Sequence, residues 1–317
     1  MSSKGLFTLD DVDTRMLYKE FQQGVDIYNE AEWGIVAKFI RSTTKESVKV
    51  WERSMEFEES SEGYLETWQK IRNREIAISL KDYALGFGFT KQAIQDSTAN
   101  ELAETQAEAL RADQRLLAKL YFSVCLSPAS NKGFWDGAET VAPPAHKGNT
   151  FLTTHTHYVT SGAATPTLAD INLLKRLIRE HGYQGGLFAF LNSNTVEDLE
   201  NLAGWTTAMT PNSVIEAIAK GGFDAVKVFQ GLTWITDDWV PDGYIMAIEG
   251  NIKPVTMREP LAAAARGLKL YEGPYSDMPL REAYYERRMG MEACHRGAGA
   301  VIQITTSGTY SKPTFTF

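Results

Sequence analysis

The sequence predicts an α+β fold, and three observations lead to that prediction. A strongly charged stretch with strand-like alternation occupies residues 43–88, and a long helical pattern follows from Thr90 to Pro128. Short helical and strand-like patterns then mix over residues 186–270, before a β pattern returns near the C-terminus. A period of 3.6 residues indicates a helix and a period of two indicates a strand, so the chain combines both kinds of element in separate regions.

Length and composition limit the classes of protein to which the chain can belong. Its 317 residues suit two domains or one elaborated domain, and a hydrophobic content of 43% supports a buried core. A net charge of −8 argues against a dedicated nucleic-acid reader, which usually concentrates Lys and Arg on one face. The apolar surroundings of Cys125 and Cys294 predict buried free thiols. The longest apolar run, Leu116–Leu126, is too short to span a bilayer, so no membrane partner is expected.

The N-terminal region, Leu9 to Phe39, has the pattern of one or two amphipathic helices. Three aspartates lie near its start, where a helix N-terminus favours negative charge. We interpret this region as an arm. Its apolar positions are Val12, Met16, Leu17, Phe21, Val25, Tyr28 and Trp33.

Residues 43–88 have the pattern of a long two-stranded hairpin. One limb alternates from Val48 to Glu58 with a shift of one residue in phase, and the return limb alternates around Ile76 and Ile78. An isolated two-stranded hairpin is only marginally stable in water, so this one needs a surface on which to pack. That surface is either a sheet of its own chain or a neighbouring subunit. Its aromatic residues are Trp51, Phe57, Tyr64 and Trp68.

The long helical pattern has a capping-box signature at its start, formed by Thr98 and Glu101. A helix of this length would extend about 45 Å, which is longer than a small compact domain needs. Only a narrow side of the helix is apolar. The predicted apolar positions are Leu102, Ala103, Ala107, Leu110, Leu117 and Leu120.

A loop over residues 127–148 precedes a strand-like run from Phe151 to Val159. His155 and His157 would share one face of that strand, a spacing that can ligate a metal. Zinc needs three or four ligands, and no third ligand follows at a recognisable offset. The sequence therefore predicts no metal site.

The remaining pattern predicts an α/β region followed by a β return. A capped helix spans Thr165 to Gly182, with an apolar face that includes Ile171 and Leu174. The further elements expected are strands at Leu187–Leu191, Ala225–Phe229 and Tyr244–Ile248, a helix at Pro211–Lys220, and a C-terminal hairpin formed by residues 288–293 and 301–304.

No motif of a catalytic or cofactor site occurs in the chain. Gly297-x-Gly299 and Gly86-x-Gly88 lack the third glycine and the following helix of a dinucleotide loop. Three carboxylates in one loop, those of Asp237, Asp238 and Asp242, do not have the spacing of a calcium loop. The sequence predicts no catalytic residue and no cofactor.

The order of these elements resembles the major capsid protein of tailed bacteriophages, which has the HK97-type fold shared with encapsulins. Two stretches resemble the family in sequence: GNTFLTTHTHYVTSGAATPTLADINLLKRLIREHGY, beginning at Gly148, and YYERRMGMEACHRGAGAVIQIT, beginning at Tyr284. The resemblance implies a structural protein, with an N-terminal arm at 1–42, an extended E-loop at 43–88, a P-domain with its spine helix at 89–185, an A-domain at 186–270 and the P-domain return at 271–317. Trp51, Phe57, Tyr64 and Trp68 are then the candidate contacts between subunits.

The resemblance also implies partners. The chain would form hexamers and pentamers of itself in an icosahedral virion capsid around double-stranded DNA, assembled in the host cytoplasm with a portal. Decoration proteins are further partners that the resemblance allows, and a separate scaffolding protein is implied if one is needed, because no charged helical segment is recognised before the arm. The alternatives are an encapsulin-type compartment and, less favoured, an α/β enzyme with a metal at His155 and His157.

Overall fold

A computed structural model describes residues 14–31, 38–51, 73–88, 99–128, 133–138, 141–205, 224–273 and 282–315. The elements in chain order are α1 (Thr14–Glu30), β1 (Ile40–Thr43), β2 (Ser47–Trp51), β3 (Asn73–Ala77), β4 (Lys81–Gly86), α2 (Ala99–Cys125), β5 (Tyr158–Thr160), α3 (Leu168–Arg179), β6 (Leu187–Leu191), α4 (Ser193–Glu200), β7 (Asp224–Phe229), β8 (Leu232–Thr236), β9 (Tyr244–Glu249), β10 (Val255–Arg258), a 3₁₀ turn (Ala263–Ala265), β11 (Leu268–Tyr271), β12 (Tyr284–Ala293) and β13 (Gly299–Gln303).

The chain divides into two compact units, each built from three separate parts of the sequence. Unit 1 combines residues 1–33, 79–117 and 258–290, and unit 2 combines residues 34–78, 118–257 and 291–317. The expected fold class of mixed helices and sheets is present in both units.

Unit 1 packs α1 and the first part of α2 against a sheet in which β12 lies between β4 and β11. Both pairings are antiparallel, with Tyr285 opposite Leu85 on one side and Leu270 on the other. The side of α1 predicted to be apolar is buried at Leu17, Phe21, Val25 and Tyr28, which confirms the helical pattern. These residues form a core with Leu102, Ala109, Leu268, Leu270, Ala283 and Tyr285.

A buried ion pair crosses the core of unit 1. The Arg287 guanidinium on β12 donates to both carboxylate oxygens of Asp113 on α2, at 2.6 and 2.7 Å. The Tyr28 hydroxyl on α1 donates to Asp113 Oδ2 at 2.8 Å. Burial and the neighbouring Asp113 carboxylate raise the pKa of Tyr28, so the hydroxyl keeps its proton. One carboxylate therefore joins two helices to the sheet.

The long helix is confirmed over residues 99–125, a length of about 40 Å at 1.5 Å per residue. Its predicted apolar face is only partly correct. Leu102 is buried, whereas Ala103 is exposed and Ala107 is half-buried. The buried side in unit 1 instead includes Asp113. Because Asp113 is charged, the spacing of apolar residues does not predict that this side is buried. The capping residue Thr98 lies outside the described residues.

Unit 2 contains a six-stranded mixed sheet with the order β5-β13-β9-β6-β8-β7. The strands β5 and β13 pair in parallel, as do β6 and β8, and the other neighbours pair antiparallel. Strand β9 is buried along its whole length, as expected for a strand covered on both faces. Helix α3 packs on the sheet through Ile171, Leu174, Leu177 and Ile178, as its sequence predicts.

The base of the predicted hairpin is present as the antiparallel pair β2 and β3, with Val48 opposite Ile76. Val50, Ile76 and Ile78 pack with Cys294 of the same chain, so this base uses the chain's own surface. The sequence predicts that the hairpin extends to residue 88. The following strand, β4, does not continue it, because β4 pairs with β12. Both Cys125 and Cys294 are buried free thiols, as expected.

Two predictions about strands were wrong. The run Phe151–Val159 is strand only from Tyr158, because residues 153 and 154 form a turn closed by the His155 amide donating to the Leu152 carbonyl. The C-terminal strands do not form a hairpin, since β12 pairs with β4 and β11 while β13 pairs with β5 and β9. The helix expected at 211–220 lies outside the described residues. Among the described helices, none is long and apolar enough to cross a membrane.

Candidate functional site

Three imidazoles and one carboxylate meet in unit 2. His155 and His157 come from the loop before β5, and Glu180 and His181 follow the last turn of α3. Their four candidate ligand atoms lie within 4.8 Å of one another. We call this group the histidine cluster.

The loop that carries two of the histidines is fixed by backbone hydrogen bonds. The His157 amide donates to the Trp135 carbonyl at 2.7 Å, and the His157 carbonyl accepts from the Val301 amide at 2.8 Å. Residue 157 is therefore held between a loop and β13, although it precedes the first residue of β5.

The end of α3 places the other two residues. Thr167 and Asp170 form a reciprocal capping box that sets where the helix begins. The chain leaves the helix at Gly182, whose φ of +90° favours glycine. A Cβ atom at Gly182 would also lie 2.6 Å from the ring of His146. This turn directs His181 back toward the loop that contains His155.

The nitrogen Nε2 of His155 lies at the centre of the cluster. It is 2.9 Å from Nε2 of His181 and 3.1 Å from Nε2 of His157. It is also 3.4 Å from Oε1 of Glu180. The side chains of His155 and Glu180 keep 15% and 21% of their surface exposed, whereas His157 is fully buried.

The hydrogen bonding of His157 determines which of its nitrogens carries the proton. Its Nδ1 lies 2.6 Å from the carbonyl oxygen of Gly299, which can only accept. Nδ1 is therefore the donor, and the neutral ring directs the lone pair of Nε2 toward the cluster.

Burial keeps the histidines neutral at pH 7. It lowers the pKa of His157 well below its usual value and lowers the pKa of His181 to about 3. The pKa of His155 is also lowered by burial, while burial raises that of Glu180. Neutral imidazoles have the lone pairs that metal ions bind.

Aromatic rings and a buried cation surround the cluster. Phe151 stacks on His181 with ring centres 4.2 Å apart, and Trp135 stacks on the same ring at 6.4 Å. The guanidinium of Arg296 lies over Trp135 at 4.4 Å and donates to the carbonyls of Gly133 and Phe134. These contacts fix the positions of the rings.

The sequence identified half of this cluster. The sequence predicts that His155 and His157 share one face of a strand. The strand begins only at Tyr158, but the Nε2 atoms of the two rings nevertheless lie 3.1 Å apart. The missing third ligand is His181, which sequence reasoning treated only as part of a helix end. A histidine directly after the end of a helix, in a chain with two closely spaced histidines before a short strand, was the available signal.

The other residues considered in the sequence do not converge. Asp238 accepts a hydrogen bond from Ser193 and Asp242 accepts one from Thr195, so neighbouring hydroxyls satisfy both. Burial raises the pKa of Asp237 to about 6. Gly299 packs against the ring of Phe134, where a Cβ atom would not fit. This contact explains the glycine, so a phosphate-binding loop is not needed to account for it.

The candidate contacts between subunits stay predictions. Trp51 ends β2, and only its backbone is described. Phe57, Tyr64 and Trp68 lie outside the described residues.

Comparison with known proteins adds to this picture. A family model described as phage capsid protein matches residues 73–293. No curated protein matches the chain.

Solved structures similar to this chain include one from a phage, one of a capsid and one of an encapsulin complex. One described as Mycobacterium phage Patience has a TM-score of 0.67 and 22% identity, covering 99% of this chain and 96% of that one. The capsid of an empty GTA particle has a TM-score of 0.55 and 17% identity, with 85% and 89% coverage. A holo-SrpI encapsulin complex from Synechococcus elongatus PCC 7942 has a TM-score of 0.51 and 10% identity, with 99% and 96% coverage. At these identities the likeness concerns the fold.

Proposed function

Because the chain belongs to the phage capsid protein family, we propose that it is the major subunit of an icosahedral shell around a double-stranded DNA phage genome. Members of this family are structural proteins, and this chain is a major capsid protein of the virion that self-assembles into oligomeric shells. Its α+β fold is the HK97-type fold predicted from the sequence. The family match over residues 73–293, which includes α2 and β12, carries the proposal.

An encapsulin compartment is the weaker alternative. The encapsulin structure shares the fold at 10% identity, whereas the family match is to phage capsid protein. An α/β enzyme with a metal at His155 and His157 has still less support, since the family match is to a structural protein.

We assign parts of the chain to shell functions on the basis of the resemblance. Residues 43–88 would contain the extended E-loop, and the antiparallel pairing of β2 with β3 supports this for residues 47–51 and 73–77. Residues 89–185 and 271–317 would form the P-domain, 186–270 the A-domain and 1–42 the arm. Rings of five or six A-domains would be closed head-to-tail assemblies of identical subunits.

The proposed partners follow from the same assignment. Hexamers and pentamers of this chain would assemble in the host cytoplasm with a portal, and with scaffolding and decoration proteins where these are needed. Contact with packaged DNA would be non-specific, because a chain with net charge −8 reaches phosphates mainly through counterions.

Electron microscopy of the purified full-length chain tests the proposal. We expect closed icosahedral particles, and particles from the source should contain nuclease-protected DNA. Icosahedra filled with a protein cargo and without DNA would favour the encapsulin alternative. A small discrete oligomer as the end state would contradict both shell functions.

We expect these shells to lack covalent isopeptide cross-links. Some members of the family join an E-loop lysine to an asparagine in the P-domain, and Lys45, Lys49, Lys70 and Lys81 could supply the amine. The C-terminal part of the P-domain, at residues 271–317, offers no asparagine, because the last one in the chain is Asn251; asparagines of the P-domain occur only in its first part, at residues 89–185. An ionised aspartate such as Asp277 is a poor electrophile.

Gel electrophoresis of mature particles boiled in denaturing detergent with reductant tests whether subunits are covalently cross-linked. A single band near the 35.3 kDa monomer is the expected result. A ladder of dimers and larger species that survives reductant would show that another acceptor is used.

A further inference from the structure

We propose that His155, His157, His181 and Glu180 bind one Zn²⁺ ion per chain, as a structural metal site within unit 2. The site goes beyond the shell function, because it concerns the stability of a single subunit. Its support is the convergence of three imidazole nitrogens and one carboxylate oxygen within 4.8 Å.

Hydrogen bonding alone does not explain the position of His155. Its Nε2 has three polar neighbours, namely two imidazole nitrogens and one carboxylate oxygen, at 2.9, 3.1 and 3.4 Å. A neutral imidazole nitrogen carries either one hydrogen or one lone pair, so it can make only one good hydrogen bond. The other close approaches need a different partner, and a cation among the four atoms supplies it.

The separations agree with the size of a zinc site. Zn²⁺ binds imidazole nitrogen at about 2.0–2.1 Å in tetrahedral geometry, which places ligand atoms roughly 3.3 Å from one another. The three distances from His155 Nε2 lie within 0.4 Å of that value, between 2.9 and 3.4 Å. The remaining pairs of ligand atoms lie within 4.8 Å of one another, so side-chain rotations that bring the widest pair up to about 1.5 Å closer would complete the coordination.

A second layer of contacts supports the metal ligands. His157 donates its Nδ1 hydrogen to the Gly299 carbonyl, the backbone partner that commonly orients a ligating histidine. Phe151 packs on the ring of His181. These contacts hold two of the three imidazoles in place before any ion arrives.

The donor set favours zinc and a structural function. Three imidazoles and a carboxylate suit a borderline cation such as Zn²⁺, whereas Mg²⁺ and Ca²⁺ prefer oxygen ligands only. Four protein ligands fill a tetrahedral site and leave no open position for a substrate. The ion would join the loop before β5 to the end of α3, and through Gly299 to the start of β13.

The first measurement is metal binding by the full-length chain with any affinity tag removed. After treatment with a chelator, titration with ZnCl₂ should show one ion per chain. The thermal unfolding midpoint should rise by about 5 °C when free Zn²⁺ exceeds its Kd 100-fold. CoCl₂ in place of ZnCl₂ should give the intense visible absorption of tetrahedral Co²⁺.

Variants at the cluster test which residues bind the ion. We expect His155→Gln and His181→Gln to weaken Zn²⁺ binding by about 100-fold or more, since even the loss of a second-shell partner costs 10–100-fold. The matched control is His146→Gln, because His146 lies against Gly182 beside the cluster but outside the ligand group. This control should bind Zn²⁺ as the unchanged chain does.

The outcomes separate a metal site from a cluster of hydrogen-bonded histidines. Absence of one-to-one binding at micromolar ZnCl₂ by the folded, unchanged chain would overturn the proposal. Unweakened binding by the folded double variant His155→Gln/His181→Gln would overturn it as well. Because binding is measured per chain, the result does not depend on whether the chain assembles into shells.

Discussion

Replacing Asp113 with alanine should lower the free energy of unfolding of the free chain by about 3–5 kcal/mol. The substitution leaves the guanidinium of Arg287 buried without its carboxylate, and it also removes the acceptor of the Tyr28 hydroxyl. Both side chains of the ion pair are almost fully buried, so water cannot replace the lost partner. Chemical denaturation followed by circular dichroism measures the change.

The adjacent residue on β12 provides a matched control. Arg288 pairs with Asp82 at 3.1 Å, but more than half of each side chain is exposed. Asp82→Ala should therefore cost only about 0–1 kcal/mol. If Asp113→Ala and Asp82→Ala lowered the free energy of unfolding equally, the prediction that the buried ion pair contributes more than the exposed one would be wrong.

A second expected result concerns assembly. The double variant Trp51→Ala/Trp68→Ala should fold as a subunit but form few or no particles. The base of the hairpin packs on its own chain through Val50, Ile76 and Ile78, and we expect these contacts to keep the subunit folded in the variant. Each aromatic buried on a neighbour would contribute a few kcal/mol to the contact between subunits. A loss of this size weakens every such contact in the shell at least tenfold.

Light scattering and electron microscopy measure assembly, and circular dichroism measures folding in the same samples. Trp51→Phe/Trp68→Phe is the control, because it keeps aromatic area at both positions and should assemble more fully. Particles of normal yield and heat stability from the alanine variant would exclude these side chains as essential contacts.

Local patterns in the sequence predicted many elements correctly. The apolar side of α1, the capped helix α3, and the strands β6 and β9 were all recognisable from periodicity and end signals. Periodicity and end signals involve residues that are close together in the sequence. A single segment of the chain therefore contains all the information needed to recognise its own helix or strand.

Pairing across the chain was less predictable. The strands β12 and β13 both have clear strand patterns, but they lie in different sheets. Alternation fixes which side of a strand is buried and leaves open which strand lies beside it. The same limit applies to β4, which has β12 as its neighbour and does not continue the hairpin.

The sequence by itself determined the α+β class, the long helix, the buried cysteines and the resemblance to a capsid family, because each rests on composition, spacing or the order of elements. Tertiary structure alone decided that Asp113 meets Arg287 and that His181 joins His155 and His157. A polar residue gives no periodic signal of its partner, because the partner can lie more than a hundred residues away, as Arg287 does from Asp113. Burial then makes that partner necessary, since a charged or polar group removed from water needs one.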